Sequence, residues 1–166
     1  YMPLYQLDRG QDFSKMIHDS GYPHLIEAAV KLIDEPLEEQ EIAQTIESFT
    51  SIDNEVSVNV QAQYEEHPYP RWTYFTPPFL NEKQRQCSVG RALLVAGCGT
   101  GQESALVSMQ MPYADIDAID LSRISMAYAI RSSRKAGLKN INFKHGDLLK
   151  VKDLNKSYDA IFSSGV

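Results

Sequence analysis

Residues 93–104, LLVAGCGTGQES, constrain this chain more than any other stretch. The continuous apolar run at 92–96, ALLVA, reads as a short strand buried on both faces. Glycines then occupy alternate positions, Gly97, Gly99 and Gly101, and a helix starts near Gln102. Glycine has no Cβ, so a strand-to-helix turn built this way lets backbone pass close to a ligand. A Walker-type phosphate loop requires Lys followed by Ser or Thr after the glycines, and GCGTGQES has neither in place. A dinucleotide fingerprint puts its last glycine three positions after the second, where this chain has Gln102. NAD or FAD is thereby demoted, though not dismissed. S-adenosylmethionine, whose adenosine carries no pyrophosphate, is the third candidate, and the glycines alone do not choose.

Downstream the chain alternates strands and helices. A helix is expected from about Gln102 to Met109, ending near Pro112, then a strand at 114–120 (ADIDAID) with Ile116, Ala118 and Ile119 inward. Ser122 caps the next helix, RISMAYAIRSSRKA, and Gly137 stands where a left-handed C-terminal cap belongs. A third strand at 141–145 (INFKH) and a fourth at 158–164 (YDAIFSS) follow. Strand–helix alternation implies right-handed parallel crossovers, hence an α/β, doubly wound, Rossmann-like sheet of about four strands in order 3-2-1-4. In such a sheet ligands bind beyond the carboxyl ends of the strands, where the strand order reverses between strands 1 and 4.

Three acidic or hydroxyl positions fall on that rim with the glycines. Asp120 ends the second strand, 23 positions after Gly97, about where a carboxylate can accept from both hydroxyls of a ribose. Its competing role is to stabilise the helix that Ser122 caps. Asp147, just past the third strand in KHGDLL, suits an exocyclic adenine amine or, equally simply, a helix cap. Ser163 follows the fourth strand.

The segments LLVAGCGTGQES, DAIDLS, INFKHGDLLKV and YDAIFSSGV resemble, in order and interval, motifs I to IV of class I S-adenosylmethionine-dependent methyltransferases. The resemblance covers about residues 90–166. It implies S-adenosyl-L-methionine as cofactor, with Gly97, Gly99, Gly101 and Gln102 as its shelf and Asp120 as ribose acceptor. It further implies Leu121 packed on the adenine, Gly146, Asp147 and Leu148 at the adenine edge, and Ser163 with Ser164 near the methionine end. The family usually has an acid two positions before the first glycine; here that position is Val95, so Gln102 or a backbone carbonyl is left to meet the cofactor's ammonium. Upstream, EPLEEQEIAQTI and SIDNEVSVNVQAQYEEHPYPRW resemble the segment that joins tetratricopeptide repeats to a methyltransferase in a group of bacterial proteins.

The first half of the chain reads as helices. HLIEAAVKLI (24–33) has a helical apolar period, Pro36 is expected to interrupt it, and a helix over 37–49 resumes with Leu37, Ile42, Ile46 and Phe49. A third helix is expected to start from an Asp53 cap and to pack through Val56, Val60 and Tyr64. HPYPRWTYFTPPF (67–79), with four prolines and five aromatics, is either an extended linker or a lid over the cofactor. In the lid reading Tyr64, His67, Tyr69, Arg71 and Trp72 face the acceptor, and His67, Tyr64 and Tyr69 are the candidate catalytic groups. Arg71 has a simpler alternative, stacking on Trp72. The domains expected are a helical linker over 1–50, a helix plus lid-like segment over 51–85, and the N-terminal half of a methyltransferase domain over 86–166.

Charge and composition narrow the classes further. A net charge of −6 offers no basic field for a nucleic-acid backbone, and the 43% hydrophobic and 23% charged content is that of a globular protein. Cys87 and Cys98 form no disulfide framework, and His18, His24 and His145 make no metal-ligand spacing. A reduced cytoplasmic setting without membrane spans is expected. The start at Tyr1 and the stop just after a strand read as a fragment, expected to be poorly active alone and to self-associate through an open strand edge. The competing functions are an NAD(P)-dependent oxidoreductase and a non-catalytic helical scaffold bearing a degenerate Rossmann-like module.

Overall fold

The computed structural model describes residues 3–66, 71–73, 76 and 78–164, and the chain divides into two units, Tyr1–Ile42 and Ala43–Val166. The first unit is helical. Helix α1 (Gly10–Ser20) ends where Gly21 turns left-handed at φ 71°. Helix α2 (Pro23–Ala29) begins on a proline, whose missing N–H would have had no helical partner there. Asp34 ties the following turn back to α1, one carboxylate oxygen accepting from Ser14 Oγ and the other meeting His18 Nε2 at 2.8 Å.

The expected interruption at Pro36 does not occur. Val30–Asp34 widen into a π-turn, Glu35 N–H reaches back to Val30 O, and the helical path continues as α3 (Glu35–Thr45). A proline ring normally presses on the carbonyl four residues back, and the widened turn just ahead of Pro36 relieves that crowding.

Helix α3 also stops four residues before its expected end. Residues 47–49 run beside the third strand instead: His145 N–H donates to Glu47 O at 2.8 Å and Phe49 N–H to His145 O at 2.9 Å. Phe49 therefore leaves the helical register and joins the core. Helix α4 (Glu55–Glu66) is capped one residue later than expected, by Asn54, whose Oδ1 accepts from Val56 N (3.0 Å) and Ser57 N (3.3 Å). Asp53 is pulled away by Lys150, at 2.6 Å. A short helix α5 (Glu82–Gln86) opens on a reciprocal capping box between Asn81 and Gln84.

The sheet follows. Strands β1 (Ala92–Ala96), β2 (Asp115–Asp120), β3 (Ile141–His145) and β4 (Ala160–Phe162) are all parallel, in order β3-β2-β1-β4. This is the doubly wound α/β arrangement that the sequence predicts. Helix α6 (Gln102–Gln110) connects β1 to β2, and α7 (Arg123–Lys135) connects β2 to β3. Both crossovers step in the same direction, so right-handedness puts both helices on one face. The step from β3 back to β4 is reversed, and its connection, a 3-10 segment at Leu148–Leu154, covers the other face. There Leu94, Ala96 and Ile119 pack against Phe49, Leu148, Val151, Leu154 and Tyr158. Register explains the division, because Leu94 pairs with Asp117 and Ala96 with Ile119, which puts these side chains on one side of the pleat.

Asp117 is only 1% exposed on that face. Tyr158 Oη donates to it at 2.7 Å, and the ammonium groups of Lys156 and Lys144 lie 3.1 and 3.3 Å away. Burial pushes its carboxyl upward, but the tyrosine and the lysines outweigh burial and hold it below the usual range. Burial, followed by Asp117 itself, drives the Tyr158 hydroxyl far upward.

His145 fastens the rim of this unit. Arg123 Nη2 donates to Ser48 Oγ at 2.6 Å, Ser48 Oγ lies 2.8 Å from His145 Nδ1, and His145 Nε2 lies 3.0 Å from Leu121 O. The consistent proton arrangement has Ser48 donating to Nδ1 and Nε2–H donating to Leu121, a neutral ring. Burial, then the Arg123 cation, lowers the pKa of His145 below its ordinary 6.5, against a smaller upward pull from Leu121 O. A ring harder to protonate when folded stabilises fully above 6.5, and that contribution is lost progressively as pH falls below 6.5. Urea midpoints measured from pH 7.5 to 5 should therefore decline, and His145→Gln should flatten the decline; an equal slope in both proteins would contradict this.

Candidate functional site

The strand order reverses between β1 and β4, and a cleft of about 760 Å³ opens beside the turn that leaves β1. Its lining combines the glycine turn (Gly97, Cys98, Gly99 and Thr100), the start of α6 (Gln102, Glu103 and Leu106) and the end of β2 (Asp120 and Leu121). Leu148, Ser164 and three residues of α4, namely Val60, Gln63 and Tyr64, complete it.

Backbone hydrogen bonds hold the turn against β2. Gly97 N–H and Cys98 N–H both donate to Ile119 O, at 2.9 and 3.0 Å, and Gly99 N–H donates to Asp120 Oδ2 at 2.7 Å. The other oxygen, Oδ1, accepts from Ser122 N–H at 2.8 Å. Asp120 thus lines the cleft and also steadies the approach to α7. Burial raises its pKa, with the Ser122, Gly99 and Leu121 amides opposing. Burial, followed by the Asp120 charge, also pushes the Cys98 thiol well up, so it stays protonated and unreactive.

Two of the glycines serve different purposes. At Gly99, φ is 50° and an added Cβ would meet nothing within 4 Å, so the bare backbone faces open cleft. At Gly101, φ is 82° and a Cβ would lie 2.5 Å from Ala129 Cβ on α7. Gly101 permits helix packing and does not line the cleft. Gly146 is similar, since a Cβ there would stand 2.3 Å from the Phe49 ring.

Among the other residues singled out in the sequence, Gly97, Gln102, Asp120, Leu121 and Leu148 meet around the cleft. Asp147 sits just behind it, 1% exposed, with Oδ1 accepting from Leu149 N–H at 2.9 Å and Oδ2 buried without a hydrogen-bond partner. Ser163 is exposed, and its neighbour Ser164 reaches the cleft instead. Tyr64 lines the cleft, whereas His67 and Tyr69 lie outside the described residues. Trp72 docks behind the glycine turn, its indole N–H donating to Thr100 O at 2.7 Å, and its carbonyl accepts from Tyr128 Oη. Arg71 stacks over Tyr128 rather than over Trp72, with Cζ 5.0 Å from the ring centre. Among the described residues, no group of three His, Cys, Asp or Glu is placed to hold a metal, and no helix is long and apolar enough to cross a membrane.

The sequence reading overlooked Val60 and Gln63, because it assigned the Val56–Val60–Tyr64 stripe of α4 to the packed face. The opposite happens. Ser57 is buried, Gln61 Nε2 donates to Leu121 O at 3.0 Å, and Glu65 accepts from Arg123 N–H, so the polar face docks. Val56 is 69% exposed and Tyr64 41%. The signal was present as an equally regular polar series, Ser57, Gln61 and Glu65. Glu103 and Leu106 were likewise missed; an acid in a first helical turn reads simply as dipole compensation.

Fold and cleft together define a Rossmann-like unit with an open cleft at the topological switch point. Residues 93–166 match the family model described as a methyltransferase domain. The match takes in somewhat less than half of the chain and supports S-adenosylmethionine as the cofactor of that stretch. The malonyl-[acyl-carrier protein] O-methyltransferase of Halalkalibacterium halodurans is 35% identical over 91 residues, 52% of this chain and 33% of that protein. An uncharacterized protein of Synechococcus sp. is 29% identical over 134 residues, 71% of this chain and 32% of that one. Among solved structures, precorrin-6y C5,15-methyltransferase from Geobacter metallireducens aligns with TM-score 0.43 at 17% identity, covering 50% of this chain and 44% of its own. The chain spans 24–33% of the length of the curated relatives it matches.

Gly101→Ala should lower stability by about 2–4 kcal/mol, from positive φ and overpacking together. Adding Ala129→Gly should restore the overpacking share but not the backbone share. A double variant no more stable than the single one in urea unfolding would show that the Ala129 contact is not the cause.

Proposed function

We propose that this chain carries the cofactor-binding part of an S-adenosylmethionine-dependent methyltransferase acting on an as yet unidentified acceptor. The observation that carries the reading is the placement of the Asp120 carboxylate on an open cleft beside the bare backbone of Gly99. Each Asp120 oxygen spends one lone pair on a backbone N–H and retains capacity for a ribose hydroxyl. A carboxyl that burial has raised gains from any further donor.

Two more features fit the group. Asp147 Oδ2 is a buried acceptor without a partner, next to Leu148 on the cleft wall, and suits an adenine amine. The described lining contains two carboxylates, Asp120 and Glu103, and no Lys, Arg or His. That balance favours a cationic ligand over a pyrophosphate.

When bound, S-adenosylmethionine supplies an electrophilic methyl group that is displaced in line from its sulfur. The chain's own contribution is orientation and exclusion of water. Gly97 to Thr100 form the floor, Asp120 fixes the sugar, and Leu121 and Leu148 cover the base. Tyr64, with Val60 on α4, closes the side towards the acceptor, and His67 and Tyr69 are carried forward as candidate proton acceptors from the sequence. The upstream helical unit is where tetratricopeptide repeats would join in the longer protein, which is bacterial and cytoplasmic in this reading.

Calorimetry with S-adenosylhomocysteine and NAD tests the assignment. The expected result is binding of the first and none of the second; the reverse would make the protein a dehydrogenase, and binding of neither would favour a scaffold. Asp120→Ala should weaken S-adenosylhomocysteine by about 1.5–3 kcal/mol, the range for hydrogen bonds to a charged group. Unchanged affinity in that variant would reduce Asp120 to a tie between loops.

A further inference from the structure

The two carboxylates on the cleft are in different states. Asp120 is held by the amides of Gly99 and Ser122. Glu103, in the first turn of α6, is half-buried on the cleft wall, and its side chain has no hydrogen bond or ion pair to any described residue. The remaining polar side chains on the wall, Gln63, Thr100, Gln102, Ser164, Cys98 and Tyr64, are neutral. Val95, the apolar residue near the end of β1, is fully buried and offers nothing to a ligand.

We propose that Glu103 receives the α-ammonium of the ligand's amino-acid portion, and so makes the cleft select S-adenosyl ligands that retain that portion. The proposal rests on the cofactor reading above. An ammonium moving from water into a partly enclosed cleft requires a counter-charge or several strong acceptors. Neutral amides and hydroxyls meet that need poorly, and a charge-assisted hydrogen bond to a free carboxylate meets it well. Asp120 is already oriented by two amides and committed to the sugar, which leaves Glu103 as the second anion of the described wall. An acid in the first turn of α6 also compensates the helix dipole. That role concerns stability, whereas the proposed one concerns which ligand binds.

A pair of ligands separates the two roles. S-adenosylhomocysteine carries the ammonium; 5′-methylthioadenosine keeps the adenosine and sulfur but lacks the amino-acid portion. Calorimetry on the intact protein and on its Glu103→Gln variant should show S-adenosylhomocysteine weakened about 10- to 100-fold. Methylthioadenosine should stay within about twofold, since it has no ammonium to lose. Equal effects on both ligands, or no effect on either, would overturn the proposal; a lowered melting temperature with an unchanged affinity ratio would leave Glu103 a dipole-compensating residue only. Failure of the unmodified protein to bind either ligand would instead remove the cofactor reading, and this proposal with it.

Discussion

One carboxylate organises the cleft. Asp120 stands at the end of β2 and accepts from Gly99 on the β1–α6 turn and from Ser122 at the start of α7. The two loops that leave β1 and β2 are thereby fixed to each other through one side chain. Without it, three left-handed glycines at alternate positions would leave the turn free to sample many conformations, because glycine loses more backbone freedom on ordering than any other residue. The carbonyl of Ile119 contributes to the same end by accepting from both Gly97 and Cys98. The preorganised floor of the cleft is therefore a product of backbone donors converging on the last two residues of one strand.

The two faces of the sheet are covered unequally, for a topological reason. Two crossovers in one direction bring α6 and α7 to the same side, and the single reversed crossover brings only a seven-residue 3-10 segment to the other. On that thinner side a carboxylate sits in mid-strand, and Asp117 is tolerated because two lysines and Tyr158 surround it. Breaking one member of such a buried set costs more than the pair contributes when intact. The cluster fastens the stretch after the 3-10 segment, from which Lys156 and Tyr158 come, against β2 and β3.

The sheet, its order and the glycine turn were legible because their signals are local: short apolar runs, a break into glycine, and a strict strand–helix alternation. Asp120 was legible for the same reason, since it closes a strand at a fixed interval from the turn. What escaped was decided by partners distant in sequence. Asp53 and Asn54 are equivalent as caps until Lys150 claims the aspartate. Phe49 continues a helical period on paper, yet the edge of β3 and the space over Gly146 draw it out of the helix. Gly101 looks like a ligand contact, and only Ala129 on α7 reveals it as a packing residue. Pro36 predicts a break, and the π-turn before it is invisible to a pattern based on a period of 3.6.

Helix α4 shows how such an inversion bears on function. A helix that docks through Ser57, Gln61 and Glu65 gains directional hydrogen bonds to Leu121 O and Arg123 N but buries little apolar surface. Val56, Val58 and Tyr64 stay exposed and Val60 is half-buried, with Val60 and Tyr64 bordering the cleft. Exposed apolar area of this kind is unfavourable to leave in water, by about 25 cal/mol per Å². A ligand seated between the glycine floor and α4 would remove part of that area and so would reinforce the docking of α4. Leu121 is the physical link, since it lines the cleft and its carbonyl is bonded to Gln61 and His145. Loss of the polar docking face should therefore loosen the cleft even though none of Ser57, Gln61 or Glu65 lines it.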